Sequence, residues 1–323
     1  MLRRTTSLQA CACAAGLFLS GVNSYGATVQ AQGAALSGGP GCVDYWVVSA
    51  RELPLGVTTT QAMERLVVWH REPSGWVRYS CPAFITALNS DVPVTFYVHG
   101  IFATAESSTA HSKKLFTEVA AGTPPFRGVL WLWPSDYQYG VSPREQVDRA
   151  LVHGRVQACC LATILGSTDC TATVNLIGHS LGCEIIAAAL HKLATGNIAR
   201  QELIEPAVIR PRQIQAVLLA PTIGPHSLSP GGEYSAALGQ VDRLVVTYNR
   251  DDLALAAYEE IRQRASLGLV GLPLPTQPQP RPKLLQVNAR PAVGIRHSPS
   301  LYFDSPLITE WLRGFVSEAP PRT

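Results

Sequence analysis

Val174-Asn-Leu-Ile-Gly178-His179-Ser180-Leu181-Gly182 decides how this chain folds. A β-rich apolar run passes into Gly-x-Ser-x-Gly, and a helix-forming segment, Glu184-Ile-Ile-Ala-Ala-Ala-Leu-His-Lys192, follows at once. Branched apolar residues suit a pleated, buried surface, whereas Ala, Leu, Glu and Lys lose little on entering a helix. Joined this closely, the two segments need a strand-to-helix turn so tight that the serine hydroxyl stands clear of the backbone, the nucleophile elbow. Gly178 and Gly182 fit that turn, because a side chain at either would meet the neighbouring strand or helix or forbid the turn's backbone angles. Alone, Gly-x-Ser-x-Gly is a weak signal; the strand before it and the helix after it make it specific.

Outward from the elbow, strands alternate with helical patterns, the signature of crossover units on a parallel sheet. The strand cores are Val94–Val98, Val129–Leu132, Val174–Ile177, Ile214–Leu219, Leu244–Tyr248 and Leu284–Val287, nearly continuous apolar runs of the kind buried on both faces. Helical patterns cover Thr109–Ala120, Pro143–Leu165, Cys183–Ala194, Leu253–Arg264 and Leu307–Phe315. Asp44–Ser49, Leu66–His70 and Trp76–Ser80, with a turn at Glu72–Gly75, predict an antiparallel N-terminal edge. The fold class is therefore α/β, a mostly parallel central sheet flanked by helices. Pro273–Pro282, punctuated by Pro-x-Pro, reads as a stiff connector.

An exposed serine is a weak nucleophile until a base takes its proton and a third group orients that base. On a frame with this elbow the parts follow in the order serine, acid, histidine, the last two on loops after later strands. Tyr248-Asn-Arg-Asp251-Asp252-Leu253 supplies the acid. Asp252 is the first choice because it immediately precedes a helix and can turn back toward the active edge; Asp251 is the alternative. Either could instead be the N-cap of that helix, a common role for aspartate. His297 is the one histidine beyond the acid, in a polar loop after the last strand. His179 reads as a packing residue and not the base, and His70, His111, His191 and His226 have no positional claim. For a developing oxyanion, the N–H of Leu181 after the nucleophile is one donor and that of Ile101, in Val98-His-Gly100-Ile101-Phe102, the other, with Gly100 allowing close approach. His153-Gly154 falls inside a helical pattern and has no such role.

Taken together, Val-His-Gly, Trp133-Pro134-Ser135, Gly-His-Ser-Leu-Gly, Asn-Arg-Asp-Asp-Leu-Ala-Leu and His-Ser-(x)3-Tyr-Phe resemble a branch of the α/β-hydrolase superfamily known only as alpha/beta hydrolases of unknown function. The resemblance runs from about Asp91 to Phe315. It implies a Ser180, Asp252, His297 triad and a site wall shaped by Trp133-Pro-Ser, and it brings no substrate. Pro221–Gln240 and Asp136–Val141 are the expected substrate-contacting rim.

Composition adds limits. Hydrophobic residues are 46% and charged residues 15% of 323, a globular chain. Net charge is +3, and without Arg3 and Arg4 lysine plus arginine falls from 26 to 24 against 23 acids, so no nucleic-acid footprint is indicated. The basic lead Met1–Thr6, the short apolar run Cys11–Ser20 and small residues near Ala27 and Ala31 read as a secretion signal over 1–31, followed by a flexible linker over 32–41 and a single domain over 42–318. No transmembrane span is expected in the mature chain. Outside that signal lie Cys42, Cys81, Cys159, Cys160, Cys170 and Cys183; export invites disulfides, Cys42 with Cys81 being favoured and Cys170 with Cys159 or Cys160 next, while Cys183 reads as a buried free thiol. No metal or organic cofactor is implied.

Three readings stay open: an exported serine hydrolase acting on a small ester or lipid, an acyltransferase using the same triad, and an inactive binding protein that kept the fold. Oligomeric state is not legible.

Overall fold

A computed structural model describes residues 42–168, 173–196, 213–273 and 283–317. The expected signal and linker, most of the Pro-rich connector, and Cys170 lie outside the described residues.

Among the described residues nine strands form one sheet: β1 (Cys42–Ser49), β2 (Val67–Glu72), β3 (Gly75–Tyr79), β4 (Val94–Val98), β5 (Phe126–Leu132), β6 (Thr173–His179), β7 (Gln213–Leu219), β8 (Arg243–Tyr248) and β9 (Lys283–Asn288). Their order is β3-β2-β1-β5-β4-β6-β7-β8-β9. All pairings from β1 to β9 across the sheet are parallel. β2 runs antiparallel to both β1 and β3. The predicted architecture, antiparallel edge included, is present.

The helices are α1 (Thr59–Arg65), α2 (Cys81–Leu88), α3 (Ala105–Ala120), α4 (Pro143–Ser167), α5 (Leu181–Thr195), α6 (Leu253–Arg262), α7 (Leu267–Val270), α8 (Arg290–Val293), α9 (Pro299–Asp304) and α10 (Pro306–Ser317). Side chains alternate across each strand, so the sheet carries two cores. Trp46, Val48, Phe96, Val98 and Leu176 face α1, α2, α4 and α5, meeting Met63, Phe84, Leu161 and Ile186. Tyr45, Val47, Tyr97 and Ile177 face α3, α9 and α10, meeting Phe116, Phe303 and Phe315. Burying one such side chain contributes about 1.5–3 kcal/mol, and with both faces covered the central strands are buried along their whole length: all five residues of β4 and all seven of β5 are buried. The helical pattern holding His153-Gly154 is the interior of α4, capped by the Ser142 hydroxyl with Pro143 in its first turn.

The cysteine expectation needs correction. Cys81, Cys159, Cys160 and Cys183 are all free thiols. Register explains the failure of the Cys42–Cys81 pair. Tyr79 is level with Val68, and Val68 with Val48, so Cys81 begins α2 near the far end of β1, whereas Cys42 starts that strand. Six residues of strand span about 20 Å, far beyond the separation a disulfide bridges. Cys159 and Cys160 lie within α4, and the pairing expected for Cys170 falls outside the described residues. Cys183 is fully buried, and burial pushes its thiol well above its ordinary pKa, as befits an inert core residue.

Candidate active site

Ser180 sits between β6 and α5 with φ 55° and ψ −121°, a backbone conformation that an L-residue holds only under strain. The turn is over-determined. Ser180 N–H donates to Leu219 O at 2.8 Å, and Cys183 N–H to Ser180 O at 3.0 Å. A Cβ on Gly182 would come 2.2 Å from Val98 O, and one on Gly178 would come 2.9 Å from the Cys183 backbone. Both glycines are thus required by close backbone approach. β6 lies between β4 and β7, so the serine emerges at the carboxyl edge of the central strands, where open α/β sheets place ligands.

Two loops at that same edge bring an acid and a base together. Asp252, fully buried, accepts His297 Nδ1–H on Oδ2 at 2.7 Å. A carboxylate can only accept, so Nδ1 carries the imidazole proton and Nε2 is left as the basic nitrogen. The loops are stapled to each other: Asn249 Nδ2 donates to Gly294 O at 2.7 Å, and Leu253 N–H to Ile295 O at 3.2 Å. Asp251, the alternative acid, points away and pairs with exposed Arg290. The N-cap role also falls on Asp252, whose Oδ1 accepts from Ala254 and Leu255 N–H, both at 3.0 Å. Sequence reasoning kept capping and orienting as rival or neighbouring roles; one carboxylate holds both geometries.

The expected oxyanion loop abuts the elbow, since a Cβ on Gly100 would lie 2.9 Å from Ser180 Cβ. His99 braces it. Its Nε2 accepts the Trp133 N–H at 3.2 Å, which leaves the proton on Nδ1 to donate to Gly100 O at 2.9 Å. Burial drives its pKa down to about 3, so the ring stays neutral. In a trans peptide the carbonyl and the following N–H point opposite ways; holding Gly100 O toward His99 turns the Ile101 N–H to the other side. Phe102, at φ 64°, donates its N–H to Ser135 O at 2.6 Å, and Ser135 Oγ donates to Ala103 O at 2.9 Å. Trp133 is fully buried and stacks on the His99 ring. The Trp-Pro-Ser segment, read from sequence as a site wall, acts here as a buttress behind the loop. Leu181 opens α5, where the first N–H groups have no partner within the helix.

Phe102 begins an aromatic strip: its ring centroid lies 5.5 Å from that of Tyr137, which lies 5.4 Å from that of Tyr139. Tyr139 is 79% exposed. Among the described residues no His, Cys, Asp and Glu group is arranged to hold a metal ion, and no helix is long and apolar enough to cross a membrane.

No protein-family model matches the chain, and no curated protein sequence does. Solved structures overlap it loosely. Esterase B from Lactobacillus rhamnosis is 10% identical over 95% of this chain and 90% of that one, with a TM-score of 0.38. The same esterase inhibited by a tributyrin phosphonate gives 0.36 over 97% and 91%, again at 10% identity. Carboxylesterase CesB from Bacillus subtilis gives 0.32 at 10% identity over 96% and 97%. At such scores the weight rests on the strand order and on the strand, elbow and helix at the sheet's carboxyl edge, which make this an α/β-hydrolase fold.

Proposed function

We propose that the chain is an exported serine hydrolase that cleaves a carboxylic ester through an acyl-serine intermediate. The observation that carries this reading is the 2.7 Å contact between His297 Nδ1 and a fully buried Asp252 Oδ2, on loops at the edge where Ser180, itself buried, turns between β6 and α5. A buried carboxylate in contact with one nitrogen of a histidine has a specific use: it fixes the tautomer and stabilises the imidazolium that forms. In the mechanism, His297 Nε2 removes the proton from Ser180 Oγ as the oxygen attacks the ester carbonyl. The N–H groups of Ile101 and Leu181 stabilise the oxyanion. Imidazolium then protonates the departing alcohol, leaving the acyl-serine. Water, deprotonated by the same nitrogen, attacks the acyl carbon and releases the acid with Ser180 restored. Export rests on the basic lead and short apolar run at the N-terminus, and needs no disulfide.

Labelling by a fluorophosphonate tests the reading, with Ser180→Ala and His297→Ala as comparisons. Labelling that requires both residues supports an activated serine, and hydrolysis of a chromogenic ester series with water as the sole acceptor separates hydrolysis from acyl transfer. A folded chain that neither labels nor turns over esters overturns the proposal.

A further inference from the structure

We propose that His179, the residue before the nucleophile, is a positioning residue that sets the backbone of the base, His297. This rests on the triad reading above and extends it to a side chain that sequence patterning assigned only to packing.

His179 ends β6 and is buried. Its Nε2 lies 2.9 Å from the carbonyl oxygen of His297. A carbonyl only accepts, so Nε2 carries the proton and Nδ1 does not. The Nδ1 side faces the oxyanion loop, where a Cβ on Gly100 would come 3.1 Å from that nitrogen. One ring therefore stands between the oxyanion loop and the base loop while joined by a peptide bond to the nucleophile. It is the point where all three moving parts of the chemistry meet.

The direction of the bond matters. A buried histidine needs some partner, and any nearby carbonyl would satisfy it. The partner here belongs to His297 itself. Asn249 and Leu253 hold the same loop at Gly294 and Ile295, and Arg296 N–H donates to Val293 O at 3.2 Å, but these bonds lie one to three residues upstream and do not fix the peptide that leaves His297. His179 fixes the peptide leaving His297, and Asp252 fixes the Nδ1 end of its ring. With backbone and far nitrogen both held, Nε2 has one direction to point.

Chemistry also favours imidazole at this place. The two rings lie 4.8 Å apart between centroids, so a lysine or arginine donor would oppose the imidazolium that forms when His297 takes the serine proton. A neutral N–H donor avoids that opposition. Burial, with the His297 ring adding to it, holds the His179 pKa well below the histidine range.

The test uses the full chain with His179→Phe, which keeps a ring and loses the donor, and His179→Gln, whose amide N–H can reach the same carbonyl. Fluorophosphonate labelling rate, kcat and KM on a short chromogenic ester, and thermal unfolding are measured together. Removing an outer-shell orienting group of this kind costs on the order of 10- to 100-fold. His179→Phe should lose that much in both labelling rate and kcat with KM little changed, and His179→Gln should recover most of it. Should the phenylalanine variant fail to fold, His179→Asn, polar but too short to reach, takes its place and should be slow where His179→Gln is fast. Equal rates in donor and non-donor variants, or a loss confined to KM, overturn the positioning role. A wild-type chain that labels while His179→Phe labels equally fast overturns this inference alone. A wild-type chain that does not label overturns it together with the hydrolase reading.

Discussion

Asp252 divides its carboxylate between two partners: Oδ1 receives the N–H groups of Ala254 and Leu255 at the start of α6, and Oδ2 receives His297 Nδ1. The cap locks the side-chain rotamer, so the oxygen that faces His297 cannot drift. Asp252→Asn separates the two jobs. Its carbonyl oxygen will keep the cap, because only an acceptor satisfies two N–H donors, and its amide will then face His297. Nδ1 must accept, the proton moves to Nε2, and the base is blocked. We expect kcat to fall by about four orders of magnitude with folding nearly unchanged, whereas Asp252→Ala should also lose a cap worth about 1 kcal/mol. Asp251→Ala should stay near wild type. Steady-state kinetics and thermal unfolding on the three variants decide it; an active Asp252→Asn places the acid elsewhere.

Gly100→Ala probes the proposed oxyanion loop while leaving the Ser180 and His297 side chains chemically intact. The added methyl would lie 2.9 Å from Ser180 Cβ and 3.2 Å from His179 O, so the loop must retreat and take the Ile101 N–H with it. Loss of one oxyanion donor costs about 10²–10³ in kcat. The expected signature is a kcat loss of that size with KM little altered. Wild-type kcat in a folded Gly100→Ala variant would remove Ile101 from the mechanism.

The sheet was legible in the sequence because its signals are long and unambiguous. β4 occupies the predicted Val94–Val98 to the residue, and β6 extends the Val174–Ile177 core by one residue before and two after. Short helices were not, since α7 and α8, four residues each, have no room to display a period. α1 left a trace that periodicity missed: Thr58 and Gln61 form a reciprocal capping box. At the site, motif order was enough to put Ser180, Asp252 and His297 forward, and the geometry brings Asp252 and His297 into contact. The bracing by His99, Ser135 and His179 was hidden because it runs between segments far apart in sequence, and a histidine in a motif looks the same whether it packs, donates or titrates. Disulfides were misread because cysteine count says nothing of strand register.

The aromatic strip predicts where substrate affinity resides. Phe102 is held at positive φ directly after Ile101, and its ring continues through Tyr137 to exposed Tyr139. An apolar substituent on an ester bound at the oxyanion loop would lie against these rings. Tyr137→Ala should raise KM for esters with a large apolar group by about 3- to 10-fold, the worth of one aromatic contact, and leave kcat and small esters unaffected. A uniform change across the series would make the strip structural.

Acid should unfold this protein by a route set in its interior. His99 and His179 are buried, with pKa values held to about 3 and well below the usual range respectively, chiefly by desolvation. In the unfolded chain both titrate near 6.5. Below that pH the unfolded state binds protons that the folded state refuses, so stability falls as pH falls, from about 6.5 toward the depressed folded values. Each histidine contributes a slope of up to about 1.4 kcal/mol per pH unit. Glu184, raised by burial, opposes this near the acid end, where its protonated form favours the fold. Urea unfolding at pH 7.5, 6.0 and 5.0 should show a steep loss of stability. His99→Asn, whose amide can still donate to Gly100 O but binds no proton, should flatten the slope by one proton. A stability that is flat across this range, or a slope that His99→Asn leaves unchanged, would mean that His99 takes up a proton without unfolding, and the neutral brace behind the oxyanion loop would fail with it.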